Sequence, residues 1–430
     1  MNRVLLTVLA VAACNGDKEP EVTWTEVGPV VETHCAACHT SGSIGPFELD
    51  NYDSAKEWGT AMVASTQARS MPPFLVRGDN TCGDFQDNHW LTDEELKIVS
   101  DWVDDGTPEG DGYSVSVPEL PSLTGETTDH TTPDFLPEIV GGDYAEFDEY
   151  RCFMVDMELD EQKFLTGYEV VPGNTAIVHH VIGMPVDLDA VGWNGRTPNR
   201  DIIENLKSAQ PDRDGWPCFE GVGSGVSFDG EVVSWAPGQG PVSYPEGVGL
   251  SLPAGSKMVY QVHYNLSDPA NVGTRDQTTI KLQIADETQR VGYVILPDLF
   301  LAGQASIPRI PAGEANASVK FELPLRWITG ELPLDFQVLG VLPHMHERGR
   351  QMSMTIERED GTEDCVAQVE NWDFNWQRMY LYETPIEFNA SDTLKVECIY
   401  DTTGDTEPTE AGWGTQNEMC LPGVLVSIAN

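Results

Sequence analysis

The sequence predicts a multidomain chain: a small all-α domain followed by two all-β, jelly-roll-like sandwich domains. Three observations carry this. A helical pattern with a capping signal closes the first part of the chain. From residue 136 onward, short apolar runs alternate with a period of two and are separated by Pro, Gly, Asp and Asn turns. This β-patterned stretch is about 295 residues long, too much for one sandwich, so two of similar size are more natural. The 40 Gly and 29 Pro fit many short strands and turns better than long helices.

The chain opens with Arg3 and an unbroken apolar and small run, Val4 to Ala13, ending in Val11-Ala12-Ala13-Cys14. A bilayer span needs roughly 20 apolar residues, so this run is too short and reads as a secretory signal over residues 1–14. Small residues directly before a Cys form a lipobox, and the segment resembles the start of a bacterial lipoprotein. That resemblance implies lipidation of Cys14, with Asn15 to Glu26 as a polar tether. The expected location is the periplasm or the cell exterior, with membrane contact only through the lipid. Such a compartment permits disulfides.

Residues 15–112 hold the helical domain. Cys35-Ala36-Ala37-Cys38-His39 has the spacing for covalent c-type haem: two thiols to add to the vinyl groups and an imidazole for the iron. The alternative is a zinc or redox Cys pair, with His34, Cys82 and His89 as the only further ligands at hand. The sixth iron ligand is expected to be Met71, held by Pro72 and Pro73 in a stiff loop, with His89 as the fallback. Thr92 and Glu95 form a capping box. Leu96, Val99 and Val103 follow on one helix face with Ile98 and Trp102 flanking, and Gly106 is the C-cap. The stretch from Cys35 to the Trp102 helix resembles small class I-like cytochrome c domains.

Residues 113–135 are rich in Ser, Thr, Pro, Asp and Glu and read as a linker, with His130 solvated. Strand alternation is plain in Lys257 to Tyr264 and in Gln351 to Ile356. The break between sandwiches is expected near 292–304, giving domains 136–298 and 299–430.

Three His clusters and one Met stand out in the β region. They are His179-His180, His263, His344-Met345-His346, and Met419. His-x-His on a strand puts both imidazoles on one face. Adjacent His-His on an ideal strand would face opposite ways, so joint ligation needs a bulge or a strand end. Imidazole suits copper, zinc, iron and nickel, and a thioether shifts the choice toward Cu(I). An all-His site beside a site with Met suits copper cycling between two oxidation states. Zinc or a single structural metal is the rival.

Six pieces occur in order: His179-His180, Ser234-Trp-Ala-Pro237, Tyr244-Pro-Glu-Gly-Val-Gly249, Gln261-Val-His263-Tyr264, His344-Met-His346 and Glu418-Met419-Cys420. On these, residues 136–430 resemble the copper type II, ascorbate-dependent monooxygenases, the family of the peptidylglycine and dopamine hydroxylases. The resemblance implies two β-sandwiches, each with one copper, facing across a solvent-filled cleft. His179, His180 and His263 would hold an electron-storing copper. His344, His346 and Met419 would hold the copper at which O₂ binds and the substrate C–H bond is broken. Gln261 would orient solvent or a ligand. The family pattern also implies disulfides Cys152–Cys218 and Cys398–Cys420, leaving Cys82 and Cys365 to pair or stay free. The Arg that the peptide-hydroxylating branch carries before His-x-His is Leu342 here. The Tyr after its Met is replaced by Leu421-Pro422-Gly423. Amidation of peptides is therefore not expected. Arg348-Gly349-Arg350 looks more like the amine-hydroxylating branch.

The expected function is hydroxylation of a small organic molecule with O₂. Electrons would come from ascorbate or the fused haem, and a redox protein would meet the haem domain. The alternative is a copper-binding or electron-transfer lipoprotein without catalysis. With 24 Lys and Arg against 70 Asp and Glu, the net charge of −46 excludes nucleic acid as a partner. It also disfavours an anionic reductant such as ascorbate and favours cationic partners.

Overall fold

The computed structural model describes residues 22–41, 43, 45–118, 122–139, 147–219, 221–237, 239–296, 309–325, 336–374, 376–412 and 417–429. The signal and Cys14 lie outside these residues, as does most of the expected break at 292–304. No described helix is long and apolar enough to cross a membrane. The chain forms two bodies, residues 1–67 with 91–118, and residues 68–90 with 119–430.

The first body holds three helices and, among its described residues, no strand: α1 (Trp24–His34), α2 (Tyr52–Gln67) and α3 (Asp93–Asp104). Capping boxes open α1 at Thr23/Glu26 and α3 at Thr92/Glu95. Each satisfies N-terminal N–H groups that the helix cannot. The buried face of α3 is Val99 with Trp102, so Trp102 is central to the core and not flanking it. Asp105 is the C-cap and Gly106, at φ +82°, follows it. Trp24 and Trp102 meet with ring centroids 5.7 Å apart and join α1 to α3.

The second body has eighteen strands and a fourth helix among its described residues. In chain order the strands are β1 (Thr128–Thr131), β2 (Asp148–Asp156), β3 (Lys163–Val171), β4 (Val178–Val186), β5 (Trp216–Pro217), β6 (Val233–Trp235), β7 (Val242–Ser243), β8 (Val248–Leu252) and β9 (Lys257–Asn265). They continue with β10 (Thr279–Ala285), β11 (Arg290–Ile295), β12 (Ala317–Pro324), β13 (Phe336–His344), β14 (Gly349–Glu357), β15 (Glu363–Val369), β16 (Tyr380–Phe388), β17 (Thr393–Tyr400) and β18 (Leu421–Ala429). Helix α4 (Asn199–Ser208) lies between β4 and β5.

Three sheets result. A five-stranded sheet runs β5-β2-β9-β4-β6, and a four-stranded sheet runs β12-β17-β14-β15. The largest sheet runs β1-β10-β3-β8-β11-β18-β13-β16, with β7 beside β3. The expected two sandwiches therefore share one sheet. The join is the parallel pair β8 and β11, followed by β18 antiparallel to β11. Val338, Val424 and Val426 pack with Met354 and Val396 of the four-stranded sheet. From the same strands, Leu339, Leu342 and Leu425 pack with Tyr168, Leu250 and Tyr260. Both faces of β13 and β18 are thus buried, and their sequences are near-continuous apolar runs rather than alternating ones.

The linker reading of 113–135 stops short of its end. β1 pairs with β10, and His130 is buried and meets the Tyr260 hydroxyl at 2.6 Å, so His130 is not solvated. Residues 68–90, expected within the helical domain, belong to the second body. They bridge to β15 through Val76–Val369 and to β16 through Phe85–Tyr382. The Leu75 N–H donates to the Tyr380 hydroxyl at 3.1 Å. Phe74, Leu75, Val76 and Phe85 join the core there. The segment covers two strands that end their sheets, which keeps open edges from pairing with other chains. Cys82, one of the two unassigned cysteines, is bonded to Cys365 on β15 and anchors it.

The Cys82–Cys365 link closes a sequence separation of 283 residues. Replacing both with Ser is predicted to lower the stability of the second body by about 2–4 kcal/mol. It should also expose 68–90 to proteolysis before the strands. Denaturant unfolding and cleavage-site mapping measure this; unchanged stability and protection would contradict the anchoring role.

Candidate metal centres

The first centre is built on β4 and β9. Their ladder pairs Val178 with Tyr264 and then His180 with His263, so β4 carries one extra residue, His179. This is a β-bulge, and it lets two adjacent histidines serve one side of the sheet. Ligand atoms of His179, His180 and His263 lie within 4.8 Å of one another. The Nδ1 atoms of His180 and His263 are 3.3 Å apart. Both ring nitrogens of His179 are buried without a partner. Buried, converging, unsatisfied imidazoles are costly unless a cation takes their lone pairs, so the donor set fits a bound metal.

Neighbours hold these rings in place. The Gln261 side chain donates to the Cys218 carbonyl at 2.9 Å and the Gly221 carbonyl. Its Oε1 is thereby turned toward His180 Nε2, 3.4 Å away. That contact favours the tautomer with a lone pair on Nδ1. Cys218 is bonded to Cys152 on β2, which ties the Gln261 acceptor to the sheet. Tyr150 stacks on His263 at 4.1 Å. Burial, followed by the neighbouring His263, pushes His179 down to about 3 and His180 well below its usual value. Both rings are neutral near pH 7, which is the ligating form.

The second centre sits where β13 and β18 end. His344 is the last residue of β13 and pairs with Leu421, the first of β18. Just beyond it, Glu418 Oε2 accepts from the N–H groups of both His346, at 2.9 Å, and Met419, at 3.3 Å, which holds the two segments together. The His-x-His pair is thus not within one strand as expected, because His346 lies in the turn before β14. Its ring is nonetheless 5.1 Å from that of His344. His344 Nδ1 donates to Gln377 Oε1, and His346 Nδ1 donates to the Asn417 carbonyl at 3.1 Å. Each bond leaves the Nε2 lone pair as the ligating one. Burial pushes His344 down to about 4. Met419 is buried, its carbonyl accepts from the Tyr400 hydroxyl at 2.9 Å, and the next residue, Cys420, is bonded to Cys398. Two imidazoles and a thioether held at one strand end fit copper better than zinc.

Several supporting residues were not singled out from the sequence. Glu418 is buried, and its carboxylate accepts from the N–H groups of His346 at 2.9 Å and Arg348 at 2.7 Å, fixing the His-x-His turn. Burial raises its carboxyl to about 7. The loop after β15 supplies the others. The Trp372 indole donates to the His346 carbonyl at 3.0 Å, and the Gln377 amide donates to the Phe374 carbonyl at 2.7 Å. The Phe374 ring lies 4.8 Å from that of His179 and 6.0 Å from that of His346. An aromatic ring thus links the two clusters where an open cleft was expected. Glu418 is adjacent to Met419 in a recognised motif, but nothing in the loop sequence marks Phe374 or Gln377.

The first body carries the Cys35–His39 motif at the end of α1, with Cys35 as the C-cap. His39 Nδ1 meets the Phe47 carbonyl at 3.1 Å, leaving Nε2 to serve as ligand. Gly45 closes the loop over it: a Cβ there would lie 2.7 Å from His39 Nδ1. Among the described cysteines, Cys35 and Cys38 alone are unpaired. Burial pushes Cys35 up to about 12, so it is a thiol rather than a thiolate at neutral pH. His34, one of the candidate ligands of the zinc alternative, meets Glu95 at 3.1 Å. Met71 and His89 belong to the second body.

Residues 309–424 match the family model for the C-terminal domain of copper type II ascorbate-dependent monooxygenases. Tyramine beta-hydroxylase of Caenorhabditis briggsae is 21% identical over 350 residues, 79% of this chain and 54% of that protein. DBH-like monooxygenase protein 1 of Gallus gallus is 28% identical over 199 residues, 45% of this chain and 32% of that protein. Dopamine beta-hydroxylase of Rattus norvegicus is 22% identical over 323 residues, 71% of this chain and 46% of that protein. The chain spans about half or less of the length of these relatives. Residues 309–424 are thus similar to the C-terminal domain of the copper type II monooxygenases, a family of copper-dependent, ascorbate-using enzymes, and the longer alignments extend weaker similarity over as much as 79% of the chain.

Proposed function

We propose that this chain is an exported dicopper monooxygenase that hydroxylates a C–H bond of a small organic molecule with O₂. The observation that carries the reading is the pair of unlike donor sets, three imidazoles at the β4 bulge and two imidazoles with a thioether at the end of β13 and β18. His179, His180 and His263 would hold one copper, and His344, His346 and Met419 the other. When bound, copper supplies one-electron storage at the first set and O₂ activation at the second. The protein's part is to keep the ligands neutral and oriented. Gln261, Gln377 and the Asn417 carbonyl fix the tautomers, and Glu418 fixes the turn. Phe374 places an apolar ring between the sets. Leu342 is buried in the core where the peptide-hydroxylating branch has an Arg, so a carboxylate-bearing peptide is not the substrate class proposed. The three disulfides suit the oxidising compartment that export implies.

The first body is proposed to carry covalent haem on Cys35 and Cys38, with His39 as an iron ligand. Support comes from two free thiols in a chain whose other described cysteines are all paired, and from the His39 tautomer. Such haem supplies one-electron transfer, so it would supplement or replace ascorbate and receive electrons from a redox protein. Lipidation of Cys14 and a non-anionic small substrate complete the reading.

Met419→Leu is predicted to abolish hydroxylation, by more than the about 10–100-fold typical of losing an outer partner of a metal ligand. The all-His copper should remain bound. Product analysis with copper quantitation checks this. Hydroxylation surviving at wild-type rate would remove Met419 from the oxygen site, and copper binding without any turnover in the parent protein would favour a non-catalytic carrier.

Cys35→Ser with Cys38→Ser is predicted to eliminate haem that survives denaturation, while His39→Ala keeps the covalent haem but alters its spectrum. Absorption spectra of denatured and native protein decide it. Haem staining of the double variant at parent level would sink the assignment.

A further inference from the structure

The two centres differ in what stands behind their imidazoles. On the all-His side, His263 Nε2 lies 3.1 Å from Asp148 Oδ1, and these side chains are 1% and 2% exposed. The carboxylate lies off the N–H axis, so it acts as a buried charge beside the ring rather than as an aligned hydrogen bond. Asn265 donates to Asp148 Oδ1 at 2.9 Å and holds it there. On the Met-bearing side the partners are neutral: the Gln377 amide behind His344 and the Asn417 carbonyl behind His346. Glu418 is close to that side, but its carboxylate faces the backbone N–H groups of His346, Arg348 and Met419, not an imidazole.

A buried negative charge behind a ligand strengthens its donation and offsets the extra charge of Cu(II) relative to Cu(I). Neutral partners and a thioether favour Cu(I). We propose that Asp148 and Gln377 are positioning residues that set a potential difference between the centres, driving an electron from the all-His side to the Met-bearing side. This rests on the dicopper reading above. A copper held by His179, His180 and His263 would supply the electron, passing from Cu(I) to Cu(II), and O₂, the oxidant of the proposed reaction, would consume it at the site of His344, His346 and Met419. Phe374 has its ring against those of both His179 and His346.

The test is a redox titration of the full-length, copper-loaded protein, followed by the Cu(II) electron paramagnetic resonance of each centre. Copper content is measured on every sample. The parent protein should show the all-His copper at the lower potential. Asp148→Asn should weaken Cu(II) relative to Cu(I) there about tenfold, raising that potential by about 59 mV. Gln377→Glu should shift the Met-bearing copper downward by a similar amount and leave the all-His spectrum unchanged. Should Asp148→Asn lose its copper or fail to fold, Gln377→Glu decides, because its shift has the opposite sign at the other centre. Two bound coppers with potentials unmoved by these variants would overturn the inference and leave the dicopper reading standing. A parent protein that binds fewer than two coppers would overturn that reading, and the inference with it.

Discussion

The pairing of β18 between β11 and β13 is the constraint on which the second body depends. One face of β13 and β18 belongs to the C-terminal core and the other to the core shared with the N-terminal sandwich. The same ladder ends by placing His344 against Leu421, and just beyond it the Glu418 carboxylate ties the Met419 N–H to the His-x-His turn. A slip of one residue would turn every inward side chain of β18 outward and move Met419 off the site. Burial on both faces opposes that slip. The Cys398–Cys420 bond and the Tyr400 contact to the Met419 carbonyl hold the end of the strand.

The all-His centre rests on a different device. A regular ladder could not bring His179 and His180 to one metal. The extra residue in β4 does so, and the sheet loses regular pairing only there. The surroundings then act on protonation. Burial disfavours imidazolium, so the rings stay neutral and ready to ligate well into the acidic range. At His180, His344 and His346 a neighbour orients one ring nitrogen and leaves the other to ligate.

Much of this was legible in the sequence because it depends on local spacing. The capping box at Thr92/Glu95, the strands around Lys257 and Gln351, the haem-type motif and the metal-type residues are all short-range patterns. That His179-His180 needs a bulge or a strand end followed from the two-residue period alone. What was not legible depends on contacts between distant segments. His130 looked solvated in a polar stretch, yet the ladder with β10 buries it against Tyr260. Residues 68–90 looked continuous with the helical domain. Their apolar side chains instead fill the second body's core, and Cys82 finds Cys365 across 283 residues. Gln377 and Phe374 sit in a loop whose composition carries no periodic signal. The shared sheet could not be anticipated from strand patterns, which say which residues form strands but not which strands are neighbours.

The central claim is that the two clusters are two copper sites of unlike chemistry. Copper X-ray absorption on the reduced, fully loaded protein tests it most directly. Two coppers per chain are expected, with nitrogen ligands on both and a sulfur ligand on half of the copper that disappears in Met419→Leu. One copper per chain, or two without any sulfur contribution, would contradict it.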